Sequence, residues 1–340
     1  MKKESQKPQA RQSGTDPVDK QRAIQREQDQ RDQQKKQQQA SGGGGSQQPQ
    51  AVQAGPREHP VDFPAQHLEK PGLEAEMQLK PQFLAPDYKG SGKLEGMSAI
   101  VTGGDSGIGR AVAVLYAREG ADVAIVYLSS HQDAEETKRC VEAEGRRCLL
   151  IAGDVKDSAF CRQAVEKTVQ EFGKLDILVN NAAFQEHAES LLDITDERLD
   201  ETFRTNIYGY IHMAKAALPH LKKGASIINS GSVTGLEGSA KLLDYSATKG
   251  AIHAFTKSLA QNVLPQGIRV NAVAPGPVWT PLNPADQEPE KVAKFGQSTM
   301  MQRAAQPEEL SPAYVFLASP VCSSYITGIV LPVTGSVSAI

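Results

Sequence analysis

The sequence predicts an α/β protein in which helices cover both faces of a doubly wound parallel sheet, the Rossmann architecture. Short apolar runs alternate with helical patterns from residue 95 onward, and a glycine-rich turn joins the first run to the first helix. Composition is ordinary for a globular chain, with 39% hydrophobic and 23% charged residues among 340. Strands that alternate with helices give parallel sheets. Residues 95–340 are therefore expected to form one domain.

The elements follow one another regularly along this domain. The expected strands are Ser98–Thr102, Asp122–Leu128, Arg147–Ala152, Ile177–Asn180, Ser226–Ser230, Arg269–Val273 and Ile329–Val333. The expected helices are Gly107–Glu119, Asp133–Glu144, Ser158–Phe172, Leu199–Leu221, Ser246–Leu264 and Pro307–Leu317. Nearly all-apolar runs such as Ile177–Val179 are typical of strands that are buried on both faces.

Two segments precede the domain. Residues 1–60 are rich in Gln and Gly and hold few large apolar side chains, so they cannot bury enough surface to offset the entropy of ordering. A disordered tail is expected there, with a partner-binding tail as the alternative. Residues 61–94 carry several prolines and anchors such as Phe63 and Tyr88. This pattern favours an extended arm that lies on the domain or on a neighbouring subunit.

Charge and cysteine usage exclude several classes of partner. The formal net charge is −3, which provides no basic field for nucleic acid or anionic membrane. No apolar run approaches the ~20 residues that span a bilayer, and the N-terminus has no signal-peptide pattern. The four cysteines form no C-x-x-C pair and no histidine cluster accompanies them, so no metal site is expected. A reduced, cytoplasmic compartment fits best.

A glycine-rich segment lies between the first expected strand and helix. It reads Thr102-Gly103-Gly104-Asp105-Ser106-Gly107-Ile108-Gly109. Its glycines permit a tight turn and close backbone approach, while the helix offers unpaired N–H groups to a pyrophosphate. A turn without a ligand is the alternative. The expected cofactor contacts are Gly103, Asp105, Ser106, Gly107, Ile108 and Gly109.

Three side chains form a candidate site for proton transfer. Tyr245 and Lys249 are four residues apart on one helical face, and Ser232 follows a strand end. Because the carboxyl ends of parallel strands line the ligand crevice, the three can converge. The ordinary pKa of a tyrosine is ~10, and a nearby positive charge favours tyrosinate. These residues predict hydride transfer between NAD(P) and a small aldehyde, ketone, sugar or secondary alcohol.

The motifs together resemble the short-chain dehydrogenase/reductase family over about residues 95–340. The resemblance rests on the T-G-x-x-x-G-x-G spacing, on Asn180-Asn181-Ala182-Ala183 and on Tyr245-x-x-x-Lys249. Within the family, the chain is most similar to a bacterial subgroup of uncharacterised and general-stress oxidoreductases. Ala183 stands where the family has Gly, and Thr334-Gly335-Ser336 stands where it often has D-G-G.

The resemblance implies further residues and an assembly. Asn206 is expected to join Ser232, Tyr245 and Lys249 as a catalytic residue, through a proton relay with the lysine. The cofactor contacts that it implies are Asp154, Val155, Asn181, Ala182, Ala183, Tyr245, Lys249, Pro275, Gly276, Val278 and Thr280. The helices Leu199–Leu221 and Ser246–Leu264 are expected to form a homo-oligomer, a homotetramer.

The sequence leaves the choice between NAD and NADP open. Tyr127 occupies the strand end where an acidic residue would bond ribose hydroxyls, and Leu128 occupies the position of an arginine that would bind a 2′-phosphate. The absence of an evident cation favours NAD. A cofactor-binding sensor or scaffold with little turnover is the alternative to an enzyme. The polar segment 283–305 is the expected lid over the substrate, and His253 is expected at the helix surface or a subunit contact.

Overall fold

The computed structural model describes residues 51–335, and a parallel sheet organises them. Its strands are β1 (Ser98–Thr102), β2 (Asp122–Tyr127), β3 (Cys148–Ala152), β4 (Ile177–Asn180), β5 (Ser226–Ser230), β6 (Arg269–Pro275) and β7 (Val330–Val333). Within the described residues the strand order is β3-β2-β1-β4-β5-β6-β7. The predicted doubly wound sheet is confirmed. The direction of winding reverses between β1 and β4, where such sheets bind ligands.

Helices cover both faces of the sheet. They are α1 (Gly107–Arg118), α2 (His131–Ala143), α3 (Ser158–Phe172), α4 (Asp196–Phe203), α5 (Gly209–Ala217), α6 (Thr234–Glu237), α7 (Leu243–Val263), α8 (Pro289–Val292), α9 (Pro307–Ala318) and α10 (Pro320–Ser323). Apolar side chains of α1, α2 and α9 form the core on one face, and those of α3, α5 and α7 form it on the other. Among residues 51–335, none of the helices is long and apolar enough to cross a membrane.

The helix predicted over Leu199–Leu221 is interrupted. A π-helical turn, Arg204–Tyr208, separates α4 from α5. Such turns insert a residue into the helical ladder and are frequent at functional sites. Here the turn holds Asn206, which is fully buried. The interruption therefore directs a polar side chain inward that a regular helix would place differently.

The arm, residues 61–94, lies on the domain as an extended chain, with one short 3₁₀ turn at Glu74–Glu76. The apolar side chains that it buries include Phe63, Leu68 and Met77. They form a cluster with four residues that follow β6: Trp279, Ala285, Val292 and Ala304. The arm thus packs against the segment that the sequence identifies as the lid.

Residues 51–60 differ from the solvated tail that their composition predicts. The main chain of Val52 donates to Met301 O at 2.9 Å and accepts from Arg303 Nε at 3.0 Å. Arg57 also pairs with Glu308 at 2.9 Å. These ten residues lie on the domain because partners distant in sequence satisfy their polar groups. Residues 1–50 of the predicted tail and residues 336–340 of the predicted domain lie outside the described residues.

Candidate active site

A cleft of about 620 Å³ lies at the carboxyl ends of the central strands. This volume falls in the range of ~300–1,000 Å³ that is typical of small-molecule and cofactor sites. The predicted site residues that line it are Gly103, Asp105, Ser106, Gly107, Ile108, Tyr127, Asp154, Val155, Asn181, Ala182, Ala183, Ser232, Tyr245, Lys249, Pro275, Gly276, Val278 and Thr280. Two predicted site residues, Gly109 and Asn206, are absent from the cleft wall.

The glycine-rich segment between β1 and α1 is tightly packed. Gly103 has a φ of +61°, a conformation that side chains disfavour, and a Cβ there would lie 3.0 Å from Ala182 Cα. A Cβ at Gly109 would lie 2.0 Å from Gly103 O. Gly109 therefore serves the close packing of helix on turn, while Gly103 and Gly107 form the surface of the cleft.

A hydrogen-bond network joins this segment to the end of β4. Thr102 Oγ1 accepts from the main-chain N–H groups of Asn181 and Ala182 at 2.9 and 3.1 Å. The Asn181 side chain donates to Gly103 O at 3.1 Å and accepts from Ser230 Oγ at 3.0 Å. The ends of three neighbouring strands are thereby held together around the floor of the cleft.

Tyr245 and Lys249 lie one turn apart on α7 and are both buried. Lys249 Nζ donates to Ser230 O at 2.7 Å and lies 5.3 Å from the centre of the Tyr245 ring. Burial lowers the pKa of Lys249 to about 7, because a low-dielectric environment disfavours the ammonium form. The lysine can thus hold or release a proton near neutral pH.

The hydroxyl of Tyr245 has an altered acidity as well. Burial raises its pKa above the ordinary value, the Ser232 hydroxyl lowers it and the charge of Asp286 raises it further. Ser232 Oγ itself accepts from Thr234 N at 3.1 Å and from Thr234 Oγ1 at 3.0 Å. With its lone pairs engaged, Ser232 keeps its own proton available for an oxygen acceptor in the cleft.

Asn206 lies behind the cleft rather than in its wall. Its Oδ1 accepts from Phe184 N at 2.8 Å, and its Nδ2 donates to Phe184 O at 2.9 Å and to Thr248 Oγ1 at 3.0 Å. The side chain therefore ties the loop after β4 to the helix that carries Tyr245 and Lys249. These contacts assign it a positioning role, and the relay implied by the family resemblance stays a prediction.

The expected position of His253 at the helix surface is wrong. The residue is 5% exposed, and its Nε2 accepts from Ser232 N at 3.4 Å. Burial, and after it the charge of Lys249, lowers the pKa of its ring to about 4. A neutral imidazole therefore lies beneath the backbone of Ser232.

The end of β2 offers few charges to a ligand. The Tyr127 hydroxyl is 2.9 Å from His131 Nδ1, and Leu128 is 58% exposed. Asp154, at the end of β3, accepts from Lys156 N at 2.9 Å. Burial raises the pKa of Asp105 in the glycine-rich segment to about 6, and the negative charge of Asp133 also raises it.

The arm reaches the cleft, which the sequence did not indicate. Lys70, Pro71 and Gly72 belong to its wall. Lys70 Nζ donates to Gln185 O at 2.8 Å and pairs with Glu186 at 3.0 Å. No motif marks these arm residues, since they meet the cleft only through tertiary packing.

Three side chains near this end of the cleft approach one another closely enough to share a cation: Glu186, His187 and Asp286. The oxygens of Asp286 already accept bonds from protein groups. Oδ1 accepts from His187 N at 2.8 Å, and Oδ2 accepts from Gln185 Nε2 at 2.5 Å. The cluster is thus accounted for by hydrogen bonds that hold the loop after β4 to the lid.

Known proteins share both the fold and the motifs. Residues 103–338 match a family model described as Enoyl-(Acyl carrier protein) reductase. General stress protein 39 of Bacillus subtilis (strain 168) is 56% identical over 278 residues, which cover 82% of this chain and 97% of that protein. Glucose and ribitol dehydrogenase of Daucus carota is 48% identical over 281 residues, which cover 80% of this chain and 96% of that protein.

A solved structure shares the fold of this chain. The crystal structure of a short chain dehydrogenase from Burkholderia cenocepacia J2315 in complex with NADP has a TM-score of 0.67 at 36% identity. The match covers 72% of this chain and 98% of that chain. This chain therefore belongs to the short-chain dehydrogenase/reductase family, in the subgroup of general-stress and uncharacterised Bacillus oxidoreductases, and is an oxidoreductase that acts on CH–OH groups.

Proposed function

We propose that the protein transfers a hydride between a nicotinamide dinucleotide and a small carbonyl or alcohol substrate, with Tyr245 as the acid/base. The observation that carries this proposal is the convergence of Ser232, Tyr245 and Lys249 in the wall of one cleft of about 620 Å³. The glycine-rich segment beside it, in which Gly103 and Gly107 adopt positive φ angles and line the same cleft, fits a pyrophosphate. When bound, the nicotinamide supplies or accepts the hydride.

Reduction of a carbonyl also needs a proton at the oxygen, and Tyr245 supplies it. Its raised pKa keeps the hydroxyl protonated at neutral pH in the empty cleft. The Ser232 hydroxyl donates a hydrogen bond to the same substrate oxygen and holds it beside the tyrosine. In the direction of oxidation, the Tyr245 hydroxyl first gives up its own proton, which neutral Lys249, with a pKa of about 7, can take up. The charge that Lys249 then carries favours the tyrosinate, which accepts the alcohol proton.

NAD is the preferred dinucleotide in this proposal. The cations that line the cleft, among residues 51–335, are Lys70, Lys156 and Lys249. Lys156 pairs with Glu201 at 2.6 Å, and Lys70 pairs with Glu186. At the end of β2, a 2′-phosphate would meet Leu128 and the carboxyl of Asp105 rather than a guanidinium. The similar short chain dehydrogenase from Burkholderia cenocepacia is in complex with NADP, which favours the opposite preference, so the test uses both dinucleotides.

The substrate end of the cleft favours a polyhydroxylated compound. Its wall includes the polar side chains of Lys70, Gln185, Asn283 and Gln287 beside Phe184. Such groups can hydrogen-bond several hydroxyls, and the two that are buried, Gln185 and Asn283, disfavour purely apolar substrates. The similarity to a protein named glucose and ribitol dehydrogenase supports the same class, sugars and polyols.

The test is a turnover screen with sugars, polyols and small aldehydes, run with both dinucleotides on wild type and on Tyr245→Phe. Tyr325→Phe is the control, since Tyr325 is fully exposed. Removing the acid/base is expected to lower kcat by about 10²-fold or more while dinucleotide still binds. Near-wild-type turnover of Tyr245→Phe would contradict the assigned role. Dinucleotide binding by the wild type without turnover on any substrate would favour the sensor or scaffold alternative.

A further inference from the structure

The 3₁₀ turn of the arm, Glu74–Glu76, lies against the back of the glycine-rich segment. Glu74 is 1% exposed, which is unusual for an acidic residue. Its neighbours Pro71 and Gly72 line the cleft, whereas Glu74 itself is absent from the cleft wall. The carboxylate therefore supports the segment from behind and leaves its cleft-facing surface available to a ligand.

The Glu74 carboxylate has two donors within the segment and helix that follow β1. Oε2 accepts from Gly107 N at 2.8 Å, and Oε1 accepts from Arg110 Nη1. Arg110 is also buried, and its Nη2 and Nε donate to Asp105 O at 2.7 and 3.1 Å. One ion pair thus fixes both the carbonyl of residue 105 and the N–H of residue 107, on either side of Ser106.

The arm delivers this carboxylate to a fixed position. The main-chain N–H groups of Glu74 and Ala75 donate to Asp133 Oδ2 and Oδ1 at 2.7 and 3.0 Å. Lys80 Nζ donates to Glu74 O at 2.6 Å. Asp133 belongs to the first turn of α2, so the turn is held between two helices of the domain. A flexible or undocked arm could not present Glu74 in this way.

A buried ion pair of this kind does not have to be retained for stability. Such pairs contribute little net stability when both partners are present, because desolvation offsets their attraction. Burial does raise the pKa of Glu74, and only the charge of Arg110 and the Gly107 N–H oppose that effect. The pair is better explained by the geometry that it imposes on the backbone, which must match a pyrophosphate closely.

We propose that Glu74 is a positioning residue of the dinucleotide site, so that the arm completes the phosphate-binding segment of the domain. The inference rests on the proposed function, because it takes the dinucleotide to occupy this cleft. It assigns Glu74 an effect on dinucleotide affinity and no part in the transfer step.

The test compares Glu74→Gln with Glu76→Gln in the full-length chain. The amide offers one acceptor oxygen where Gly107 N–H and the Arg110 guanidinium require two, whereas Glu76 is exposed on the same turn. The dissociation constants for NAD and NADP are measured by calorimetry. Hydrogen–deuterium exchange of a peptide covering residues 103–110 is measured without dinucleotide.

For Glu74→Gln we expect a dissociation constant raised about tenfold, consistent with the loss of one charge-assisted bond. We also expect faster exchange at Gly107 and a kcat at saturating dinucleotide within about twofold of wild type. Glu76→Gln should match wild type in all three. If Glu74→Gln does not fold, Glu74→Asp keeps the charge but is one methylene too short to reach both donors, and the same changes are expected of it.

Unchanged affinity and unchanged exchange in the folded variant would overturn the inference. So would a loss of kcat with unchanged affinity, since that would place Glu74 in the transfer step. A wild-type protein that binds neither NAD nor NADP would instead overturn the proposed function, and this inference with it. The exchange measurement needs no bound dinucleotide and reports the loop geometry by itself.

Discussion

Replacing Phe63 by alanine tests whether the arm is held to the lid by the cluster around Trp279. Phe63 is 5% exposed and its ring stacks on that of Trp279, with centroids 4.0 Å apart and an interplanar angle of 22°. Trp279 is 1% exposed, and its Nε1 donates to Leu79 O of the arm at 3.0 Å. Since Trp279 is the chain's single tryptophan, its fluorescence reports this contact directly.

The expected loss follows from burial. Replacing a buried Phe by Ala costs roughly 3–5 kcal/mol in protein cores, and a stacked aromatic pair lies toward the upper part of that range. For a fold of this size, a global loss of about 3 kcal/mol lowers Tm by roughly 5–10 °C. If the arm docks with a smaller free energy than this, it undocks locally and the domain stays folded. Either outcome removes the ring that covers one face of Trp279.

The assay is the emission maximum and acrylamide quenching of Trp279 at 25 °C, together with a thermal melt. Phe63→Ala should shift the emission to the red and increase quenching. Leu84→Ala is the matched control, because Leu84 belongs to the same arm but is 49% exposed. An emission maximum and a Tm equal to those of wild type would refute the claim that this cluster docks the arm.

Three further predictions concern the cofactor end and the assembly. Leu128→Arg should raise the ratio of kcat/KM for NADP to that for NAD, because a guanidinium at the end of β2 can bind a 2′-phosphate; an unchanged ratio would place the ribose elsewhere. Asp105→Asn should raise stability at pH 7 by roughly 1–3 kcal/mol. The pKa of Asp105 in the folded state, about 6, exceeds its ordinary value of 3.8. The free energy of unfolding of the wild type should therefore fall as pH rises from 3.8 through 6, whereas that of Asp105→Asn should not. Urea unfolding of both proteins at pH 4 and pH 7 measures this difference. Light scattering at micromolar concentration should give a homotetramer, in keeping with the exposed Leu199 of α4 and Tyr208 of the π-helical turn, and a monomer would contradict this.

The parallel sheet could be predicted because its strands are buried on both faces and therefore read as short apolar runs. Strands β1, β4 and β5 coincide with their expected bounds, and the predicted catalytic pair, Tyr245 and Lys249, lies on one face of α7 as its spacing predicts. Local periodicity determines these features. The interruption at Arg204–Tyr208 could not be predicted in the same way. Asn206 in this π-helical turn bonds to Phe184 and Thr248, which are distant in sequence, and local periodicity carries no information about such contacts.

Buried polar residues outside the motifs also could not be predicted from the sequence. His253 looks like a surface residue by type, yet its ring fits beneath Ser232 because residues 231 and 235 are glycines whose Cβ atoms would meet it at 2.2 and 2.8 Å. Glu74 belongs to no motif either, and the charged residue with which it pairs, Arg110, lies in helix α1, where residues 107–117 carry no other charge. Periodicity reports which face of an element is apolar, but it does not report which charge will meet a partner across the fold.

The arm therefore contacts both ends of the cleft, and this has a thermodynamic consequence. Glu74 supports the segment expected to hold the pyrophosphate, while Phe63 and Leu68 pack on the lid at the substrate end. If a docked arm favours dinucleotide binding by a given factor, bound dinucleotide must favour the docked arm by the same factor. Since undocking would withdraw the Glu74 carboxylate, the tenfold effect expected of its removal corresponds to a stabilisation of docking by about 1.4 kcal/mol when the site is filled. Because the predicted lid shares the arm's apolar cluster, the same coupling would make opening of that segment less favourable when the cofactor end is filled, with the arm as the element that couples the two ends.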